Sequence, residues 1–515
     1  MEAISFTIWS LCSTFLFLAL IFFLFFIKKI NTNLLPPGPK PWPFIGKSGL
    51  ILRALKLTIG QTSNFTIRPL ALGFRNKPTF RWIHKLMKEM NTEIMCIRLG
   101  NVHVISVTSP EIAREFLRRQ AAVFASRPVC LHADIASGGY LSAALSATGD
   151  QWKKMRKVLT SEVLSTSRHH WLHDKRVEEA DHLIRFVYNQ CMNSATGGLV
   201  NVRVAAQHFC GNVIRKMIFN RRFFGKGMED GGPGVEEEEH VNALFTILSQ
   251  GRLQGLARDV TRTPAILDLD GHEKIVRKAT TSGKKYQDPL IDERIKKWND
   301  GTKTEKEDIL DILIMLKQTG LVMELMIATV DNPSNGVEWA LAEMLNQPEI
   351  LKRAMAELDR VSCVKEAFRL HPIAPFNVPY VSISNTTIGN YFIPKDSHVL
   401  LSRPGLGRNP RIWNESLKFK PECHLKDDGS EVLIIDPDLR MLSFSTGRRG
   451  CAGVTLGSTM TSMLMARLLQ GFTRNLPPTV SHIGLKESPG DLFLAKPLLV
   501  LAKPRLAENL DSISL

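Results

Sequence analysis

Cys451 has the neighbours that a reactive thiol needs. It lies in SFSTGRRGCAGVTLGSTMTSMLMARLLQGF, residues 443–472, among Gly447, Gly450 and Gly453. Those glycines leave space beside the sulfur and let backbone N–H groups turn toward it, while the amphipathic stretch that follows predicts a helix whose positive N-terminus points the same way. Arg448 and Arg449 add positive charge, which lowers a thiol pKa and also suits a carboxylate. A cysteine without such neighbours is ordinarily a small buried hydrophobe. The remaining cysteines, at 12, 96, 130, 191, 210, 363 and 423, form no C-x-x-C pair and are too sparse for a disulfide framework. A reducing compartment therefore fits, and a functional cysteine acts alone. Glu366 and Arg369, in KEAFRLHP, stand three apart on one helix face and can form an ion pair.

The elements that must position these groups are mixed. EIMCIRLGNVHVISV, residues 93–107, is two β-branched runs broken by Gly-Asn, a hairpin signal. Ser109 then opens a helix with Pro110 at its first position. Helices are expected over 150–164, 176–188, 272–298, about 321–368 and 457–469, and short strands over 378–399. The glycine- and acid-rich residues 225–239 read as an exposed loop. No internal repeat is visible. The result is a mainly α body with small β-sheets.

The chain has 515 residues, 44% hydrophobic and 23% charged, a globular composition that excludes a disordered, collagen-like or coiled-coil chain. Its formal charge of +16 favours an acidic partner or an anionic membrane surface over most alternatives; nucleic acid is the competing reading. Residues 4–27 carry no charge and are long enough to cross a bilayer core of about 30 Å. Only Glu2 precedes the run, and large residues end it, so an uncleaved anchor fits better than a signal peptide. Lys28 and Lys29 follow at once and place the rest of the chain in the cytosol. The prolines at 36, 37, 39, 41 and 43 then forbid a continuing helix and make a stiff, extended joint. The expected organisation is an anchor over 1–30, a hinge over 31–46 and a single catalytic body over 47–515.

The ten residues F-S-T-G-R-R-G-C-A-G, from Phe444 to Gly453, resemble the F-x-x-G-x-R-x-C-x-G signature of the haem-thiolate monooxygenases, the cytochrome P-450 superfamily. Further matches follow in order along the chain: Trp152 and Arg156 as W-x-x-x-R, Glu366 and Arg369 as E-x-x-R, and Pro421-Glu422 before the cysteine loop. The resemblance implies that fold, carried on a membrane anchor. It implies Cys451 as the proximal ligand of the iron of haem b, with Trp152, Arg156 and Arg449 pairing with the haem propionates and Phe444 and Gly447 lying beside the porphyrin. It makes Glu366 and Arg369 a structural brace. It further implies O2, electrons from NADPH through a separate reductase, an endoplasmic reticulum membrane location with the body cytosolic, and no nucleic-acid partner.

The distal-helix stretch narrows the reaction. Where most members carry an acid followed by Thr, this chain has Asp331-Asn332-Pro333-Ser334, so the usual relay hydroxyl is missing and Pro333 would kink the helix. This stretch, the GRRGC loop and HPIAPFNVP resemble the plant branch of amino-acid N-hydroxylases, which turn an L-amino acid into its aldoxime by two N-hydroxylations followed by loss of water and carbon dioxide. Asp331, Asn332, Pro333 and Ser334 are the candidate catalytic stretch, and Ile373, Phe376, Asn377 and Val378 the candidate pocket wall. The amino acid itself is not readable.

Three departures from the branch bear on activity. Cys423 stands where the family has an Arg that completes the brace, which leaves a buried Glu366 short of one partner. Tyr380 stands where a basic residue meets a propionate. The chain is short between Asp359 and Glu366 and again near 317–321, and residues 250–267 lack the branch's character, as if exon ends were missing. An inactive membrane-anchored chain and an ordinary carbon-hydroxylating monooxygenase are therefore the competing functions.

Overall fold

The computed structural model describes residues 35–39, 79–99, 102–193, 197–251, 271–356, 360–425 and 432–505. The expected anchor and nearly all of residues 250–267 lie outside them. Among the described residues no helix is long and apolar enough to cross a membrane. Of the proline joint, Pro37 lies against the first strand, its carbonyl accepting the Cys96 N–H at 2.9 Å.

In chain order, helix α1 (Thr79–Glu89) leads into the expected hairpin, β1 (Ile94–Leu99) and β2 (Val102–Val107). Ser109 caps the next short helix, Pro110–Arg114, by accepting the Ile112 N–H, and a π-helical turn, Glu115–Arg119, continues it. There follow α2 (Leu131–Ser137), α3 (Asp150–Lys157), α4 (His173–Met192), β3 (Leu199–Asn201), α5 (Val202–Phe219), α6 (Val235–Gly251), α7 (His272–Asn299), α8 (Ile309–Met315), α9 (Leu321–Leu345), α10 (Pro348–Met355) and α11 (Arg360–Leu370). Short strands β4 (Tyr380–Val381), β5 (Thr386–Ile388), β6 (Tyr391–Ile393) and β7 (His398–Leu401) precede α12 (Val454–Gly471), β8 (Phe472–Asn475) and β9 (Leu499–Pro504).

The main sheet runs β1-β2-β7-β4, with β2 and β7 parallel and Ile105 opposite Val399. A second sheet runs β3-β9-β8, and β5 and β6 form a hairpin. The largest core cluster lies among α4, α5, α9, α11 and α12. This is the mainly helical body with small sheets that the sequence predicts.

Four expectations need correction. The helix expected over 321–368 is three helices: α9 ends at Leu345, α10 runs from Pro348 to Met355, and α11 starts at Arg360. The helix expected over 150–164 turns π-helical at Val158, in a stretch where β-branched residues crowd an α-turn. Helix α5 has no counterpart in the expected list because it is buried almost all round, which leaves no amphipathic period to read. The loop expected over 225–239 ends at Val235, and its Glu237 is buried against Arg215 and His208 rather than solvated.

Candidate haem site

The cysteine loop is shaped by its glycines. Gly447 has φ +72°, and a Cβ there would lie 2.2 Å from the Leu117 carbonyl oxygen, so only glycine lets the loop pass the Glu115–Arg119 turn. The Cys451 N–H donates to the Phe444 carbonyl at 2.8 Å, and the Gly453 N–H donates to Cys451 Sγ at 3.3 Å. Helix α12 starts at once, with no side chain capping its N-terminus. Phe444 packs edge-on against Phe368 of α11, ring centroids 5.7 Å apart.

Cys451 is exposed, yet burial by the protein atoms around its sulfur pushes its thiol pKa up. The Gly453 N–H, Arg156 and Arg403 pull it down, and Glu324 pushes it up. The positive field at the sulfur thus comes from Arg156 and Arg403 rather than from the adjacent arginines. Arg448 is exposed, and Arg449 turns away from the sulfur to donate to the carbonyls of Ala125 (2.6 Å), Ala143 (3.1 Å) and Ser146 (2.8 Å).

Arg449 also lies 4.1 Å over the Trp152 ring. Burial, then repulsion from Arg127 and Arg156, brings its pKa down to about 9. Trp152 is buried, and its Nε1–H has no partner among the described residues. The Arg156 guanidinium donates to no group among the described residues. An orphaned indole N–H beside mutually repelling guanidinium groups is the setting that two propionates would satisfy. A thiol that accepts the Gly453 N–H completes the fit to haem.

Sequence reasoning missed Arg127 and Glu324. Arg127 is buried, donates to the carbonyls of Ala144 (2.9 Å), Val378 (2.8 Å) and Pro379 (3.0 Å), and lies 4.6 Å over the Tyr380 ring. Tyr380 turns its hydroxyl to Ser445 Oγ at 3.1 Å, joining β4 to the cysteine loop. Nothing in FASRPV signals this role for Arg127. Glu324 did leave a signal, as the one acid in the apolar run LVMELMIATV.

Helix α9 crosses the core, and from 321 to 344 every residue is buried except Glu324, Ile327, Ala328 and Asn332. Asn332 donates through Nδ2 to the Ala328 carbonyl at 2.7 Å. Pro333 offers no N–H to the Thr329 carbonyl one turn back. Asp331 points away from this stripe and accepts Gln207 Nε2 of α5 at 3.0 Å, and Ser334 bonds back to the carbonyls of Val330 and Asp331. Of the pocket candidates, Ile373 packs on the main core and Phe376 on the sheet beside His84. Asn377 is tied to Leu401 of β7, and Val378 is exposed.

The brace is whole. Arg369 grips both oxygens of Glu366 at 2.7 Å, and Glu366 also accepts the Lys420 N–H (2.7 Å), His424 Nε2 (2.9 Å) and the Cys423 thiol (3.3 Å). Cys423 therefore does not leave the carboxylate short of partners. The short approach from α10 does not displace α11 either, since this network closes across it.

A family model described as Cytochrome P450 matches residues 63–502. The chain is 50% identical to phenylalanine N-monooxygenase of Prunus mume over 92% of its length and 91% of the relative's, and 50% identical to isoleucine N-monooxygenase 1 of Lotus japonicus over 97% of each. It is 49% identical to tyrosine N-monooxygenase of Sorghum bicolor over 93% of its own length and 88% of that protein's. A zebrafish cytochrome P450 solved with progesterone shares the fold, with a TM-score of 0.66 at 20% identity, covering 84% of this chain and 100% of the other. A glycine-bounded Cys451, a Trp152 Nε1–H without a partner among the described residues, the Glu366–Arg369 brace and a match over most of its length together place this chain in the cytochrome P450 family.

Proposed function

We propose that this protein converts an L-amino acid to its aldoxime by N-hydroxylation. The observation that carries this reading is the Asn332-Pro333 pair on the interior stripe of α9, in a chain half identical to relatives named for amino-acid N-monooxygenation. Cys451 would hold the haem iron, with Trp152 Nε1 and Arg156 on the propionates. Bound haem supplies oxygen activation, assisted by electron density from the thiolate.

The chain's own residues shape the rest. No side-chain hydroxyl from residues 331–334 reaches the stripe, because Ser334 is turned back on its own helix. The acceptors left there are Asn332 Oδ1 and the Thr329 carbonyl that Pro333 frees. Protons in this reading travel on water bound to those acceptors. Electrons come from NADPH through a separate reductase. The apolar run at residues 4–27 and the +16 charge support a single-pass endoplasmic reticulum location with the body cytosolic.

The test is expression in microsomes with a plant reductase. A reduced carbon-monoxide difference spectrum with a thiolate-type Soret band, and an oxime from one of L-valine, L-isoleucine, L-phenylalanine, L-tyrosine or L-tryptophan, are the expected results. A thiolate band with only alcohol products would make the protein a carbon hydroxylase. Good expression without the band would make it inactive.

A further inference from the structure

Buried glutamates in this protein have cationic or histidine partners. Glu179 faces Arg222, Glu237 faces Arg215, Glu338 faces Arg203, Glu343 faces His371 and Glu366 faces Arg369. Glu324 has no ion pair among the described residues. It lies among the less buried positions of α9, one turn from Ala328 and two from Asn332. Its charge reaches Cys451 and Arg449, and Arg156 acts on it in return. A carboxylate drawn away from bulk water without an ion pair is costly, so one that persists within electrostatic reach of the cysteine loop is suited to receive a cation that arrives from outside.

We propose that Glu324 receives the ammonium group of the amino-acid substrate and takes its proton, an inference that rests on the N-hydroxylation reading. Oxygen can be added to nitrogen only through a lone pair, and a free amino acid carries none at neutral pH. The step is a proton transfer without change of oxidation state: R–NH3+ and the Glu324 carboxylate become R–NH2 and the carboxylic acid. The carboxylate is held for this by the N–H groups of Ala143 (2.7 Å) and Ala144 (3.0 Å), each on a different oxygen, and by the Ser142 hydroxyl, which leaves a lone pair for an incoming ammonium. Burial raises its pKa, against the pull of the Ala143 N–H, the Ser142 hydroxyl, the Ala144 N–H and Arg156, so it accepts a proton more readily than an exposed glutamate. The groups that face it are thus Ser142, Ala143 and Ala144 of the loop before α3, Arg156 of α3, and Arg449 and Cys451 of the cysteine loop.

The experiment is a spectral titration of the full-length holoprotein with the five amino acids above and with the deaminated acid of the same side chain, from neutral to alkaline pH. Glu324→Gln should keep the thiolate band, and its affinity for the amino acid at neutral pH should fall roughly ten- to a hundredfold. The loss should shrink as pH rises toward the amine's own pKa, and the deaminated acid should bind parent and variant equally. Unchanged amino-acid affinity, or equal loss for both ligands at every pH, would overturn the inference and leave Glu324 as a clamp on the loop. If Glu324→Gln holds no haem, Glu324→Asp takes its place, and its pH profile must stay parent-like where the deaminated acid still binds. A parent that answers to none of these five, to L-methionine or to any other protein amino acid would overturn the N-hydroxylase reading itself.

Discussion

Cys451 and Glu366 are the residues on which the site and its support depend. Cys451→Ala should abolish the reduced carbon-monoxide band while leaving the far-ultraviolet circular dichroism of the body unchanged, because no other cysteine in the sequence is flanked by such glycines and arginines. Burial alone would raise the Glu366 carboxyl, but hydrogen bonds from Arg369 and His424 outweigh it and hold it at about 2. A folded pKa below the unfolded one means that the stabilisation is full above the ordinary carboxylate value and is lost as pH falls from about 4.5 toward 2. The shift corresponds to about 3 kcal/mol, and Glu366→Gln should remove that acid limb from a urea-midpoint profile. Cys423→Ala should cost only about 1 kcal/mol, since His424 and the Lys420 N–H also serve the carboxylate. For the same reason Cys423→Arg should bring no gain in haem content. The sequence made Glu366 and Arg369 legible as a pair, but His424 as a substitute partner was not, because it comes from a turn that only the tertiary fold brings near.

The cysteine loop and the distal helix show how elements constrain chemistry. Gly447→Ala would force a left-handed φ on a residue with a Cβ and drive that atom into the Leu117 carbonyl. The strain costs about 1–3 kcal/mol before the clash is counted, so the variant should hold less haem per unit protein in the difference spectrum. Pro333→Ala should do the opposite to stability: a restored N–H for the Thr329 carbonyl should raise it by about 1–3 kcal/mol. Turnover should fall at least roughly tenfold if proton delivery uses the freed carbonyl. Elements with a clear local signal were readable in advance, namely the Gly-Asn hairpin, the Ser109 cap and the glycines around Cys451. Helix α5 was not, since a helix buried on every side has no polar face to set its period. The break before α10 did leave a local signal, Pro348 at the first helical position, which the apolar run on either side obscured.

At the scale of the molecule, charge and apolar surface act together. Deleting residues 1–30 should release part of the protein from membranes but not all of it at low salt, because a chain of net charge +16 is still drawn to anionic lipid. Flotation assays across a salt series would check this, and complete release at low salt would count against it. The central claim is the reaction on nitrogen, and one measurement reaches it directly. Microsomes carrying this protein and a reductase are given NADPH and the accepted amino acid labelled with nitrogen-15 and, at the carboxyl, carbon-13. The account predicts an aldoxime that keeps the nitrogen label, with the carbon label released as carbon dioxide. A product that keeps the carboxyl carbon and carries its new oxygen on carbon would contradict it.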